Sequence, residues 1–413
     1  MDILSFFRIV NVIVSHLADV GAVATVVTGV HHTHALHRPR SAGTQPVPAP
    51  SRRRRPGRLS IVALAAIAAV AIGAAALFHP RVEQWLFDRA AETLTARANT
   101  APLEDDALRV AICGSSAPLP SANRAKACVA VFAGGKFYLV DVGPESVENL
   151  VTWGIPLASI GGVLLTHFHS DHIGELGEAT LQSWVAGRGK PLAVFGAPGV
   201  DYVVEGFRQA YAFDTQYRIA HHGEEAMPPL GSRAVAKTVD LPRPGEAAVV
   251  FEADGLRVTA FAVDHAPVTP AYGYRFDYRG RSVVISGDTK KSENLIRHAQ
   301  GADLLVHEAL AANMIAPVTE YARAQGLSRF AKLTSDVVTY HTTPAQAAEV
   351  AKAANVRMLA LTHVVPPLPN FIARRMFLRG VSEAWSGEVV LGKDGMHFTL
   401  PRESTAIPVD TLE

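Results

Sequence analysis

The hydrophobic pattern opens with an uninterrupted run of 18 apolar or glycine residues, Ile61–Phe78. With Leu59 and Ser60 it reaches 20 residues, about enough to cross a ~30 Å hydrocarbon layer. No charge lies inside it, so a transmembrane helix is expected over 59–78. A second apolar stretch, 12–30, is interrupted by His16 and Asp19 and leaves a further span open as an alternative. Arg81–Ala96 reads as a linking helix, within a linker over 79–104. Beyond it the pattern shortens into β-rich runs: Leu108–Ile112, Ala127–Phe132, Lys136–Val140, Ile160–Leu165, Leu192–Phe195 and Leu256–Val263. Gly273–Phe276, Ser282–Ile285, Leu304–Val306, Met358–Leu361, Ser386–Leu391 and Met396–Leu400 continue the series. Helical stretches separate several of them, notably Leu176–Val185, Glu293–Ala299 and Pro344–Ala354. The last has a strong start signal: Thr343 as cap, Pro344 in the first helical position and Gln346 three residues after the cap. An α/β domain over 105–413 is expected, with two sheets or one large sheet covered by helices.

Composition narrows this. The chain is 48% hydrophobic and 19% charged, which excludes wholesale disorder and collagen. Two cysteines exclude a four-Cys zinc knot or a dense disulfide framework. The balance of 39 basic and 38 acidic residues hides an asymmetry. Residues 1–80 hold eight basic and two acidic residues, and the remainder holds 31 and 36, a formal charge of −5. A general nucleic-acid surface is therefore not expected on the large part. Arg52, Arg53, Arg54, Arg55 and Arg58 stand just before the apolar run. The positive-inside rule puts the tail, 1–58, in the cytoplasm and the large domain outside, as in a single-pass protein of a bacterial inner membrane. A cleaved signal peptide or a buried Ala-rich helix are the competing readings, and the missing A-x-A site argues against cleavage. His31, His32, His34 and His37 lie in low-complexity tail and make no metal site.

The strongest chemical signal follows a short hydrophobic strand, in Gly161–Gly177. His167, His169, Asp171 and His172 fall within six residues. In a tight loop at a strand end, His167 and His169 can point to one metal, and Asp171 and His172 can turn toward a second. Imidazole and carboxylate suit zinc, and also manganese or iron. One loop cannot saturate two ions. His265 follows Leu256–Asp264, Asp288 lies in Arg281–Lys291 where a strand breaks, and His363 closes Val356–His363, so each stands at a strand end.

These motifs resemble the metallo-β-lactamase superfamily, in particular its branch of transfer-RNA 3′-processing ribonuclease Z and arylsulfatase-like proteins. The segment Cys113–Gly143 is similar to that branch's first strand and hairpin, and THFHSDH is the superfamily signature. HAPVTPAYGYRF, VVISGDT, LLVHEA, HTTPAQAAEVA and LALTH follow in the branch's order, so the resemblance spans Leu108 to Leu400. It implies a four-layer αββα sandwich. It assigns His167, His169 and His265 to one ion, and Asp171, His172 and His363 to the other. Asp288 and a hydroxide bridge them. Asp141, in the VDVG turn, and Glu308 are implied to support the ligands from behind. The resemblance makes His341 a catalytic candidate beside Asp171 and Asp288, with a supporting role as its alternative. An Asp where di-zinc β-lactamases carry Cys matches the phosphodiesterase, sulfatase and lactonase branches.

Two divalent ions, zinc first, would serve a phosphodiester, a sulfate ester or a strained carbonyl. Only 23 positions separate His265 from Asp288, which leaves no room there for the long insertion expected of a bacterial ribonuclease Z. Together with the anchor and the acidity, this favours a membrane-anchored hydrolase of small phosphodiesters or sulfate esters and no nucleic-acid partner. A lactonase or β-lactam hydrolase is the alternative. A ribonuclease Z-like nuclease and a non-catalytic scaffold rank below it. The segment between Glu308 and His341 carries Met314, Tyr321, Phe330 and Tyr340 and is expected to form a helical lid. Cys113 and Cys128 are expected as free buried thiols, and a homodimer is implied by the resemblance.

Overall fold

A computed structural model describes residues 73, 79–96, 98–241 and 245–412. The expected span at 59–78, Gly73 aside, and the stretch at 12–30 lie outside them. Among the described residues no helix is long and apolar enough to cross a membrane. The linking helix runs Pro80–Ala96 and belongs to a unit separate from the compact body that begins at residue 98.

That body contains two sheets. The first is formed by β1 (Ala107–Gly114), β2 (Cys128–Ala133), β3 (Lys136–Val140), β4 (Ile160–Leu164), β5 (Leu192–Gly196) and β6 (Ala234–Thr238). The second is formed by β7 (Ala247–Ala253), β8 (Leu256–Ala262), β9 (Tyr272–Tyr278), β10 (Arg281–Ile285), β11 (Leu304–Leu310), β12 (Met358–Val365) and β13 (Glu388–Leu391). Finally β14 (Met396–Pro401) and β15 (Val409–Thr411) return to the first sheet, whose order is β15-β14-β1-β2-β3-β4-β5-β6. The second is ordered β13-β12-β11-β10-β9-β8-β7. Strands β3 to β6 run parallel, as do β10 to β13, and the remaining pairs are antiparallel.

Alternation of side chains explains the layers. Val283 and Ile285, Leu304 and Val306, and Met358 and Ala360 point between the sheets, where they meet Val110, Val131, Val140 and Leu164 of the first sheet. Their neighbours Val284, Leu305 and Leu359 point outward under the helices Glu293–His298 and Pro344–Ala353. Similarly Ala130, Leu139 and Val163 lie under the helices Ser146–Thr152 and Leu176–Val185. Strands buried on both faces read as continuous apolar runs, which is why their periodicity could not choose between one sheet and two. Thr343 and Gln346 do form the expected capping box.

The cysteines require a correction. Cys113 and Cys128 are not free thiols; they form a disulfide. They sit on adjacent antiparallel strands, and an irregularity between Ile112 and Gly114 brings the two Cα atoms to 5.0 Å, within bridging range.

Candidate metal centre

Every site residue stands at one edge of the sandwich, where strands end and backbone is free to turn. Asp141 follows β3, and His167 to His172 follow β4. His265 follows β8, Asp288 follows β10, Glu308 lies on β11 and His363 on β12. Two of these positions use a left-handed backbone: Asp141 with φ 62° and His363 with φ 47°. Asp171 and His172 lie in one short helical turn, Ser170–Ile173.

The side chains converge in the grouping that the resemblance implied. Asp288 Oδ2 lies 3.9 Å from both His167 Nε2 and His265 Nε2. The same oxygen lies 3.4 Å from His172 Nε2 and 3.3 Å from His363 Nε2. Asp171 Oδ2 is 3.2 Å from His363 Nε2 and 3.5 Å from His172 Nε2, and His169 Nδ1 is 2.9 Å from His167 Nε2. Ligand atoms on a tetrahedral zinc with bonds of about 2.0–2.1 Å stand roughly 3.3 Å apart, so these separations are compatible with donors that share an ion. Two donor groups result, His167–His169–His265–Asp288 and Asp171–His172–His363, with Asp288 facing both. The nitrogens His172 Nε2 and His265 Nε2 are buried and have no hydrogen-bond partner, as expected of atoms that await a cation.

The far nitrogens are held. Asp141 Oδ1 accepts from the Thr166 amide at 2.8 Å, and its Oδ2 accepts from Thr166 Oγ1 at 2.8 Å and from His172 Nδ1 at 2.8 Å. His265 Nδ1 donates to the Tyr340 carbonyl at 2.9 Å. Both contacts turn Nε2 toward the centre. Burial lowers the pKa of His167, His169 and His265, which favours the neutral ligand form. Burial works against the Asp288 carboxylate, yet His363 and His172 hold its pKa well below the usual range.

Glu308 is buried behind His341. Its Oε1 accepts from His341 Nδ1 at 3.1 Å and from the Thr342 amide at 2.9 Å. Burial opposes the charged ring of His341, but the Glu308 carboxylate and then Asp288 raise its pKa to about 9. His341 also lies within donor range of Asp288 and His363. The expected lid is a helical pair, Ala312–Ala324 and Ser328–Val337. Of its four apolar candidates only Tyr340 reaches the centre, with its ring 4.7 Å from those of His265 and His341. Tyr321 and Phe330 are exposed, and Met314 packs into the core. Thr166 and the Tyr340 carbonyl had no signal in the sequence beyond adjacency to His167 and His341.

The chain matches the family described as "Beta-lactamase superfamily domain" over residues 137–364. It is 32% identical over 290 residues to a protein named Ribonuclease Z from Mycobacterium bovis (strain BCG / Pasteur 1173P2), covering 70% of this chain and 96% of that relative. It is 36% identical over 264 residues to one of the same name from Mycolicibacterium gilvum (strain PYR-GCK), covering 63% and 85%. Among solved structures, the metallo-beta-lactamase fold protein YhfI from Bacillus subtilis aligns with a TM-score of 0.51 at 20% identity, over 71% of this chain and 100% of that one, a likeness of fold. The named relatives overturn two expectations: that the substrate is a small phosphodiester, sulfate ester, lactone or β-lactam, and that no nucleic acid is involved.

Proposed function

We propose that this chain, which belongs to the metallo-β-lactamase superfamily and within it to the ribonuclease Z branch, cleaves phosphodiester bonds in RNA, with transfer-RNA 3′ ends as its substrate class. It is a metal-dependent hydrolase of that superfamily. The observation that carries the nuclease reading is the alignment with a protein named Ribonuclease Z across 96% of that protein's length.

In this reading His167, His169 and His265 hold one divalent ion, and Asp171, His172 and His363 hold a second. Asp288 is shared between them. Zinc suits this set of imidazoles and carboxylates, with manganese or iron as alternatives. When bound, such ions supply Lewis acidity toward a phosphoryl oxygen and a water nucleophile acidified toward neutral pH. The protein's own groups do the rest. Asp141 and the Tyr340 carbonyl fix the tautomers of His172 and His265, so neither ring has to reorient when the site loads. Glu308 fixes Nδ1 of His341 and leaves its Nε2 to face the centre. The Glu308 carboxylate behind Nδ1 favours the protonated ring of His341, which can then give a proton from Nε2 to the leaving oxygen.

The test compares the metal-loaded full chain on a precursor transfer RNA, bis(p-nitrophenyl) phosphate, p-nitrophenyl sulfate and a simple lactone. RNA cleavage with the highest kcat/KM is expected. Dominant turnover of the sulfate or the lactone overturns the reading.

A further inference from the structure

Two helical elements rise from the edge that bears the metal centre. The pair Ala312–Ala324 and Ser328–Val337 leaves β11 just after Glu308 and returns through Tyr340 to His341. The helix Phe371–Phe377 leaves β12 just after His363. The two elements touch, since Asn313 Nδ2 donates to the Met376 carbonyl at 3.1 Å. Together they expose apolar and aromatic groups that no core claims: Tyr321 at 68% and Phe371 at 69%, with Leu327, Phe330, Leu333 and Ile372 beside them.

The same ridge carries Arg329, Arg374, Arg375 and Arg379, all exposed and without a carboxylate partner among the described residues. Elsewhere on the surface Arg208, Arg218, Arg257, Arg275, Arg279 and Arg357 each stand beside an acid. On the ridge itself Arg323 and Lys332 are paired, with Glu320 and Asp336. Exposed cations without an acid partner also stand elsewhere, at Arg233, Lys237 and Lys352 for example, but Arg374, Arg375 and Arg379 fall within six residues, on a part of the chain that carries a formal −5. Arg374 also faces the loop before β2: burial lowers the pKa of Arg124, Asp394 opposes this, and the Arg374 charge adds to the lowering.

A polyanion approaching a net-negative protein needs such a local positive surface. Guanidinium groups pair bidentately with phosphate, and exposed rings offer a π-face to any unpaired base. The ridge begins at His341 and His363, so a strand laid along it ends in the metal centre. We propose that this ridge is the docking surface for single-stranded RNA of the substrate, with Arg374 and Arg375 taking phosphates and Phe371 stacking a base. The proposal rests on the ribonuclease reading above, and it names the surface that this reading leaves unassigned.

Binding and cleavage separate the two. The metal-loaded full chain is titrated into a fluorescein-labelled RNA in which a methylene group replaces the leaving oxygen at the scissile phosphate, so that it reports binding alone, and cleavage of the matching RNA is measured in parallel. For Arg374→Ala/Arg375→Ala, Kd is expected to rise at least ~10-fold. The salt dependence of log Kd should flatten by about 1.4, or ~0.7 for each phosphate no longer neutralised. Cleavage should show the loss in KM, and Arg374→Lys/Arg375→Lys should recover the salt dependence. Phe371→Ala should weaken binding by ~5-fold or more with no change in that slope. Equal Kd values for the native chain and the double Ala variant overturn the proposal, as does failure of the native chain to bind RNA. Loss of binding to phosphatidylglycerol vesicles with RNA affinity retained assigns the ridge to a membrane surface and also overturns it. RNA that binds but is not cleaved refutes the ribonuclease reading and leaves the docking surface standing.

Discussion

Asp141→Asn separates the support of the metal centre from the ligands themselves. Asp141 is 4% exposed and sits at φ 62°, a conformation that Asn tolerates, so the backbone has no reason to move. The Thr166 amide is a donor and keeps an oxygen opposite it. The new amide nitrogen then faces Thr166 Oγ1 and His172 Nδ1, where the carboxylate accepted at 2.8 Å. Two donors cannot share that contact, so His172 must move its proton to Nε2, and the lone pair that points at Asp171 and Asp288 is lost. Losses of this kind cost about 10–100-fold in metal affinity, roughly 1.4–2.8 kcal/mol. Asp141→Ala is the poorer probe, because it strands the Thr166 amide and His172 Nδ1 in the interior at about 1–3 kcal/mol each and lowers fold stability as well. The assay titrates zinc into metal-free protein against a chromophoric chelator, with thermal melts as a check on folding. One of two ions should weaken by 10–100-fold, and the change should have no further effect in a His172→Ala background, since both act through one ring. Two ions bound within about twofold of the native affinity, or an undiminished effect without His172, would refute the tautomer argument.

Other expectations follow from the same geometry. Asp288 Oδ2 faces rings of both donor groups, so Asp288→Ala should lower the content of both ions after dialysis; a variant that keeps one full equivalent contradicts the shared position. His341→Ala should reduce turnover on RNA by ~10²-fold or more while two equivalents of metal remain, and unchanged turnover removes its proposed proton transfer. Gly287 has φ 59°, and a Cβ there would lie 2.6 Å from the Tyr272 carbonyl and 2.9 Å from Thr166 Cβ. Gly287→Ala should therefore cost at least ~2 kcal/mol, seen as a lower Tm and weaker metal binding, and an unaltered melt sinks the steric argument.

Legibility in the sequence followed burial. Strands such as β4, β10 and β12 are covered on both faces and stand out as short apolar runs. The edge strands β6 and β7 lie half in solvent, and β15 has only three residues, so none of them separates from the surrounding loops. The helix Val200–Ala210 does carry an apolar stripe, Val200, Val203, Val204 and Phe207, that could have been recognised, whereas Ala212–Ala226 buries no residue and shows none. The candidate donors could be gathered from the sequence because His265, Asp288 and His363 each close an apolar run, and these strand ends meet at one edge of the sandwich. What the spacing could not convey was that one oxygen of Asp288 stands 3.3–3.9 Å from four different rings. Nor could it convey that a backbone carbonyl, at Tyr340, orients His265. A carbonyl has no identity in a sequence, and the cysteine pairing likewise depended on a local irregularity of β1 that no residue announces.

The substrate was misjudged for a reason of scale. A formal charge of −5 is an average over the whole of residues 81–413, whereas a phosphate responds to charges within a Debye length, about 8–10 Å at physiological salt. Acids on the far side of a four-layer sandwich are screened from the mouth of the metal centre. On the proposed ridge Arg374 and Arg375 have no such acid beside them. The interval between His265 and Asp288 was an equally indirect guide. A segment that grips RNA can hang from any connection at the same edge, and here the long connections follow β5 and β11. Seven metal donors specify the bond-breaking chemistry at a few ångströms and are indifferent to what is attached to the phosphorus. The choice among a nucleotide chain, a sulfate ester and a lactone is made farther out, by groups such as Phe371, Arg374 and Arg375 whose exposure and lack of partners only the folded chain displays.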